Sequence, residues 1–451
     1  MAIWIRNPLA ILVDDGIDAG GGLVVDGTTI TELVPAGHEP KSTVSRRLNA
    51  DHHVVLPGLI NTHHHYYQTL TRSFGPALNL ELFPWLKTLY PVWAGLRPGD
   101  LRLAAKLAMC ELLLSGCTTS VDHHYVFPKS LKNAIDIEIE VAKELGMRAV
   151  LTRGSMNLSE KNGGLPPDEV VQDDWTILTD SERLVKIYNR LGDRSGAMIE
   201  IALAPCSPFS VTTDLMRATA VMAEHLDCRL HTHLAETEDE SRFCQDRFGM
   251  SPLDYLEEQG WLTARTWLAH GVHFDDDDIR RLAAAGTAIA HCPAANMVLG
   301  SGICRVQDLQ TAGVAVGLAV DGSASNDSSN LMQEARLALL LQRVGRRSTT
   351  FTHEDALRLA TAGSARCLGR DDIGRIAVGC QADLALFKLD EPRFSGHGDP
   401  LAALVLCGAH RADKVMVAGR WLVEDGRLTG VDLPTLMAAH QKAARRLQEA
   451  A

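Results

Sequence analysis

The sequence predicts an α/β protein: a (β/α)8 barrel with a small β-sandwich assembled from both chain ends. Three observations predict it. Between about residues 55 and 370, eight short apolar, β-rich runs alternate with stretches whose apolar residues recur every three to four positions. The first run ends in Asn-Thr-His-His-His, not in the Gly-rich phosphate turn usual after the first strand of a doubly wound open sheet. Both flanks, 1–53 and 376–428, read instead as short strands separated by Gly-rich turns.

The expected barrel strands are 54–65, 118–124, 148–155, 199–207, 228–236, 266–273, 287–293 and 314–321. Helical patterns such as LRLAAKLAMCELLLSG (101–116) and DLMRATAVMAEHL (214–226) lie between them. Eight such units fit a closed barrel with insertions. The expected division is 1–54 for the first part of the sandwich, 55–372 for the barrel, 373–430 for the second part and 431–451 for a final helix. That helix is amphipathic and reads as a surface or oligomer element. Two insertions, 75–99 rich in Trp, Leu and Pro and 158–180 rich in Gly, Pro and Asp, follow strand ends and read as lids.

At 451 residues the chain exceeds the usual size of a single core, as a barrel with a satellite requires. A net charge of −12 argues against nucleic acid as a partner. No stretch approaches about eighteen uncharged apolar residues, so no membrane span is expected. The first residues are apolar but broken by Arg6 and Pro8, which reads as a first strand and not as a signal peptide. Ten cysteines, none spaced C-x-x-C, suit reduced thiols in a cytoplasmic protein. They also exclude the PCxxC signature of the thiolate-zinc deaminases.

In a (β/α)8 barrel the functional groups gather at the C-terminal strand ends. LPGLINTHHHYYQTL (56–70) presents His63, His64 and His65. In an extended strand His63 and His65 share a face and His64 points elsewhere. HTHLAE (231–236) brings His233 and Glu236 to the end of the fifth run, AHGVH (269–273) brings His270 to the sixth and AVDGSASND (319–327) brings Asp321 to the eighth. Three neutral imidazoles, a carboxylate and a water suit one divalent ion. The fourth run, MIEIALAPCSPF, has no lysine to bridge a second ion, which favours a mononuclear site. An Asp closing Val-Ala-Val-Gly-Leu-Ala-Val is costly to bury without a partner.

NTHHHYYQTL, HTHLAE, AHGVH, HCPAANM and VDGSASND, with the flanking GRIAVGCQADLALF, resemble the amidohydrolase superfamily over essentially the whole chain, in the branch that deaminates aminated heterocycles. ELFPWLKTLYPVW, LLLSGCTTSVDHHYVFP, GGLPPD and LAPCSPFSV are most similar to the 8-oxoguanine deaminases of that branch. The resemblance implies one divalent ion per chain, zinc or alternatively iron or manganese, held by His63, His65, His233 and Asp321. It implies Glu236 as the proton-transferring acid and His270, with Asp321, as the acid/base beside the water. The ion would lower the pKa of its bound water to about 7. Attack of hydroxide at the amino-bearing ring carbon then releases ammonia, turning 8-oxoguanine into urate. Guanine, isocytosine, pterins and triazines remain alternative rings. By the same analogy His231 is a deeper, structural residue, and a homo-oligomer is expected.

His64 is expected off the metal and His273 in a loop. Four residues are candidate substrate contacts. The Gln68 amide can both donate to and accept from a lactam edge; its alternative is a cap or surface role. Trp85 can stack on a flat ring or serve the core. His123, ending the second run, is at the height of a ring carbonyl. Arg153, ending the third, can do the same or pair with an acid. For Cys206 packing is the expectation. A barrel serving only as a scaffold would be expected to lose ligands, and this sequence keeps all four.

Overall fold

The computed structural model describes residues 2–189, 192–346 and 349–450. Eight parallel strands pair in chain order: Leu59–Asn61, Cys117–His124, Arg148–Ser155, Ile199–Pro205, Arg229–Leu234, Thr266–His270, Ala288–His291 and Val316–Leu318. The last meets the first, because the Thr62 N–H donates to the Leu318 carbonyl (3.0 Å) and the Asp321 N–H to that of His63 (3.1 Å). The sheet is therefore a closed barrel. Among the described residues no helix is long and apolar enough to cross a membrane.

The first expected run proves to be two strands. His53–Pro57 pairs antiparallel with Leu384–Lys388, outside the barrel, and the barrel strand is only Leu59–Asn61. The break falls at Gly58, where a Cβ would lie 2.1 Å from the Thr118 Oγ1. A run buried on both faces carries no alternation to mark such a break. His63, His64 and His65 consequently lie beyond the strand. Backbone bonds to both neighbouring strands hold this turn, with the His64 carbonyl accepting from the His123 N–H at 2.7 Å.

Both chain ends build the β-sandwich. One sheet contains Ile3–Arg6, Gly22–Asp26, Thr29–Val34 and Arg46–Asn49. The other contains Ala10–Ile11, His53–Pro57, Leu384–Lys388, Lys414–Val417, Arg420–Glu424 and Arg427–Leu428. Ile5, Leu23 and Val25 of the first sheet share a core with Val55, Leu384 and Met416 of the second.

The insertion at 75–99 folds as a helix, Leu82–Trp93, over the barrel mouth. The insertion at 158–180 forms short turns that lead into the helix Asp174–Tyr188. The final helix, Leu433–Glu449, packs against Pro98–Leu114 and against the turn Tyr66–Thr71 just after His65. Arg446 pairs with Asp100, Gln448 donates to the Leu70 carbonyl at 2.7 Å, and His440 meets the Thr69 hydroxyl at 3.0 Å. Its apolar face is thus covered by its own chain, where it braces the histidine turn.

Asp122, His124 and Glu138 form a fully buried polar cluster between the second barrel strand and the helix Ala134–Leu145. The His124 Nε2–H donates to the Val126 carbonyl (2.8 Å), which leaves the Nδ1 lone pair 3.1 Å from a Glu138 oxygen. Burial pushes the Glu138 carboxyl up to about 8. A carboxyl raised from 4.5 to about 8 binds more protons folded than unfolded between those values. Its stabilising contribution is full at low pH and is lost as pH rises through about 8. Urea midpoints are expected to fall across that window, and Glu138→Gln is expected to flatten the fall. An unchanged slope in the variant would contradict this reading.

Candidate metal centre

Four side chains from distant parts of the sequence meet at the C-terminal mouth of the barrel. The Asp321 Oδ1 lies 3.3 Å from the Nε2 of both His63 and His65, and the Nε2 atoms of His65 and His233 are 3.2 Å apart. None of the four residues is more than 8% exposed.

The hydrogen bonds behind the rings fix their tautomers. A carbonyl only accepts, so the Nδ1–H of His65 donates to the His123 carbonyl and that of His233 to the Cys206 carbonyl, each at 2.7 Å. The Nδ1–H of His231 likewise donates to the Trp267 carbonyl (2.8 Å), and its Nε2 accepts from the His63 Nδ1–H (2.7 Å). Every remaining Nε2 of His63, His65 and His233 is therefore a lone pair aimed inward. Burial drives the His63 pKa well below its ordinary value and lowers that of His233 to about 3, so protonation does not relieve the crowding. Three nitrogen lone pairs and a carboxylate facing one another repel unless a cation lies between them. This donor set fits one divalent ion with N/O ligands.

The backbone reaches this arrangement at some cost. Ala235, His270 and Asp321, just past or at the ends of the fifth, sixth and eighth strands, have φ of 53°, 74° and 62°. Non-glycine residues in this region carry roughly 1–3 kcal/mol of strain each. The turns they make bring Glu236, His270 and Asp321 to one point. The His270 Nδ1–H donates to the Asn296 Oδ1 (2.9 Å), so its Nε2 accepts; it lies 3.4 Å from a Glu236 oxygen and 4.0 Å from the Asp321 Oδ2. Burial, joined by the charges of Asp321 and Glu240, pushes the Glu236 carboxyl well above the usual range. An acid biased toward its protonated form and an imidazole biased toward its neutral form thus stand side by side at the donor set.

A cavity opens on this cluster, with Gln68, Trp85, Tyr90 and Tyr125 among its walls and the helix Leu82–Trp93 as its roof. Gln68 lies flat against Gly322, where a Cβ would come within 1.9 Å of its amide oxygen. Trp85 meets Trp93 edge-on, with ring centroids 5.6 Å apart. Cys206 is also on the wall, its sulfur 3.9 Å from the His233 Nδ1. His64 lies outside the donor set, its Nδ1 accepting from the His65 N–H (2.7 Å), and His273 donates to the Ser301 carbonyl (2.9 Å).

Two expected substrate contacts lie elsewhere. His123 points inward but sits fully buried off the cavity wall, stacked on His233 at 4.8 Å, with its Nε2–H donating to the Ala204 carbonyl (2.9 Å). It buttresses His233, and one of its ring nitrogens lies within 4.8 Å of those of His63, His65 and His233. Arg153 pairs in register with His124 and turns outward with it. Its guanidinium bonds Asp180 (2.8 Å) and Gln172 (2.9 Å) and lies over the Phe127 ring. A strand-end position sets height, whereas the face depends on parity within the strand. Tyr90, Tyr125 and Asn296 escaped the sequence reading. For Tyr90 a signal exists: helical spacing in ELFPWLKTLY places Leu82, Trp85, Leu86 and Tyr90 on one face.

Residues 54–422 match the model of the amidohydrolase family. The chain is 61% identical over 444 residues to an 8-oxoguanine deaminase of Pseudomonas aeruginosa, covering 98% of each chain. It is 36% identical to a hydroxydechloroatrazine ethylaminohydrolase of Pseudomonas sp. strain ADP, across 98% of this chain and 92% of the relative. Its structure resembles that of an atrazine chlorohydrolase from Arthrobacter aurescens TC1 complexed with zinc, with a TM-score of 0.92, 33% identity and coverage of 98% and 100% of the two chains. By sequence and by architecture the chain belongs to the amidohydrolase family.

Proposed function

We propose that this protein is a metal-dependent hydrolytic deaminase that converts 8-oxoguanine and water into urate and ammonia. One observation carries the chemistry: the Glu236 carboxyl and the His270 Nε2 stand 3.4 Å apart beside a donor set whose lone pairs all face inward. The identity of the ring rests on the 61% identical deaminase of Pseudomonas aeruginosa.

His63, His65, His233 and Asp321 would hold one divalent ion per chain, with zinc favoured by the zinc-complexed relative. Such an ion supplies Lewis acidity, making a water ionise near neutral pH. Asp321 and His270 orient that water, and the His270 Nε2 is free to accept its proton. Glu236 donates its carboxyl proton to the ring nitrogen beside the amino-bearing carbon. The proton held by His270 then passes to the amine, which leaves as ammonia, and the remaining hydroxyl proton returns to Glu236 as the carbon–oxygen double bond forms. Gln68 offers its amide to the lactam edge of the ring, and Trp85 offers an aromatic wall. We place the enzyme in purine breakdown in the cytoplasm, a reading supported by free cysteines that are buried except for Cys407.

Ammonia release from 8-oxoguanine, guanine, isocytosine, a pterin and a hydroxytriazine tests this reading. The highest kcat/KM is expected for 8-oxoguanine. Turnover of the triazine with none of 8-oxoguanine would overturn it in favour of a triazine hydrolase.

A further inference from the structure

The roof helix Leu82–Trp93 presents Leu82, Trp85, Leu86 and Tyr90 to the cavity. Tyr90 is fully buried, and its hydroxyl has no hydrogen-bond partner among the described residues. Its ring packs edge-on against Trp93, with centroids 5.9 Å apart. Phenylalanine would make the same contact without burying an unpaired hydroxyl, so packing does not explain the choice of residue. Burial also keeps the phenol protonated, well above its ordinary range. Among the described residues the cavity wall carries no Lys or Arg, which suits a neutral ring and not a phosphorylated one.

The chemistry of the ring supplies the missing partner. The amino-bearing carbon of an aminopurine lies in the six-membered ring, and C8 lies at the opposite end of the fused system. With the amino carbon held at Glu236 and the donor set, a C8 edge turned to the roof would meet Trp85 and Tyr90. Trp85 and Tyr90 carry the polar atoms that the roof helix brings there. An indole N–H only donates, whereas a phenol can donate to the C8 oxygen or accept from an adjacent ring N–H. We propose, resting on the reaction assigned above, that Tyr90 is a specificity-determining residue that recognises the 8-oxo edge of the substrate. A purine with hydrogen at C8 offers the hydroxyl no carbonyl to donate to and is disfavoured for that reason.

The test compares ring pairs that differ by the 8-oxo group and the ring N–H that accompanies it, using the metal-loaded enzyme. The substrates are 8-oxoguanine and guanine; the inhibitors are their deamination products, urate and xanthine. Wild-type enzyme is expected to bind urate more tightly than xanthine. Tyr90→Phe is expected to shrink that preference by about tenfold, with a parallel fall in the kcat/KM ratio of the two substrates. Metal content, measured alongside, separates this effect from damage to the centre. Equal inhibition by urate and xanthine in the wild type would overturn the assignment, as would a variant that weakens both rings alike or neither. Absence of ammonia from 8-oxoguanine in the wild type would instead sink the assigned reaction, a distinct outcome.

Discussion

Glu236→Gln is expected to lower kcat for deamination by about a hundred- to ten-thousand-fold while the protein keeps its full complement of metal. Glu236 is 3% exposed, and burial with two neighbouring carboxylates favours its protonated form. An amide of the same shape fills the same space but has no acidic proton to deliver to the ring nitrogen. It also adds no charge beside Asp321 and Glu240, so the fold is not expected to suffer. Glu236 lies against His270, not within the inward-facing donor set, which is why the ion should stay. Ammonia release together with elemental analysis separates the two effects. Near-normal turnover would remove Glu236 from the mechanism, and loss of the metal would place it among the ligands.

His233→Ala is expected to cost both metal and activity. The ring supplies one of three inward lone pairs, and it is oriented from behind by the Cys206 carbonyl and stacked on His123. Loss of a group that merely orients a ligand weakens binding by about 10–100-fold, so removing the ligand itself should weaken it more. Competition with a chelator measures the affinity directly. A variant that held a full equivalent as tightly as the wild type would exclude His233 from the donor set.

The fold was legible in the sequence because each barrel strand is a compact apolar run and each intervening helix keeps a 3.6-residue period. The gathering of His63, His65, His233, Glu236, His270 and Asp321 was legible because a polar residue that closes a buried run has few places to go besides the barrel mouth; which four of them form the donor set came from the resemblance to the amidohydrolase superfamily. What the pattern hid was governed by other physics. The run at 54–65 is buried on both sides, so nothing in its periodicity marks the passage from sandwich to barrel at Gly58. Arg153 faces Asp180 because of its parity in the third strand, which its position at the strand end does not reveal. His123 faces inward as its parity requires, but one layer below the cavity. Glu138 meets His124 only because its helix packs against the second strand, which no local pattern reveals.

The account turns on electrostatics, since buried, unprotonated nitrogens and a carboxylate crowd one spot and require a positive partner. Elemental analysis of the purified protein, before and after chelation, tests this most directly when ammonia release from 8-oxoguanine is followed in the same samples. One divalent ion per chain is expected, with turnover lost on its removal and restored by zinc. Full turnover from protein stripped of metal would contradict the account.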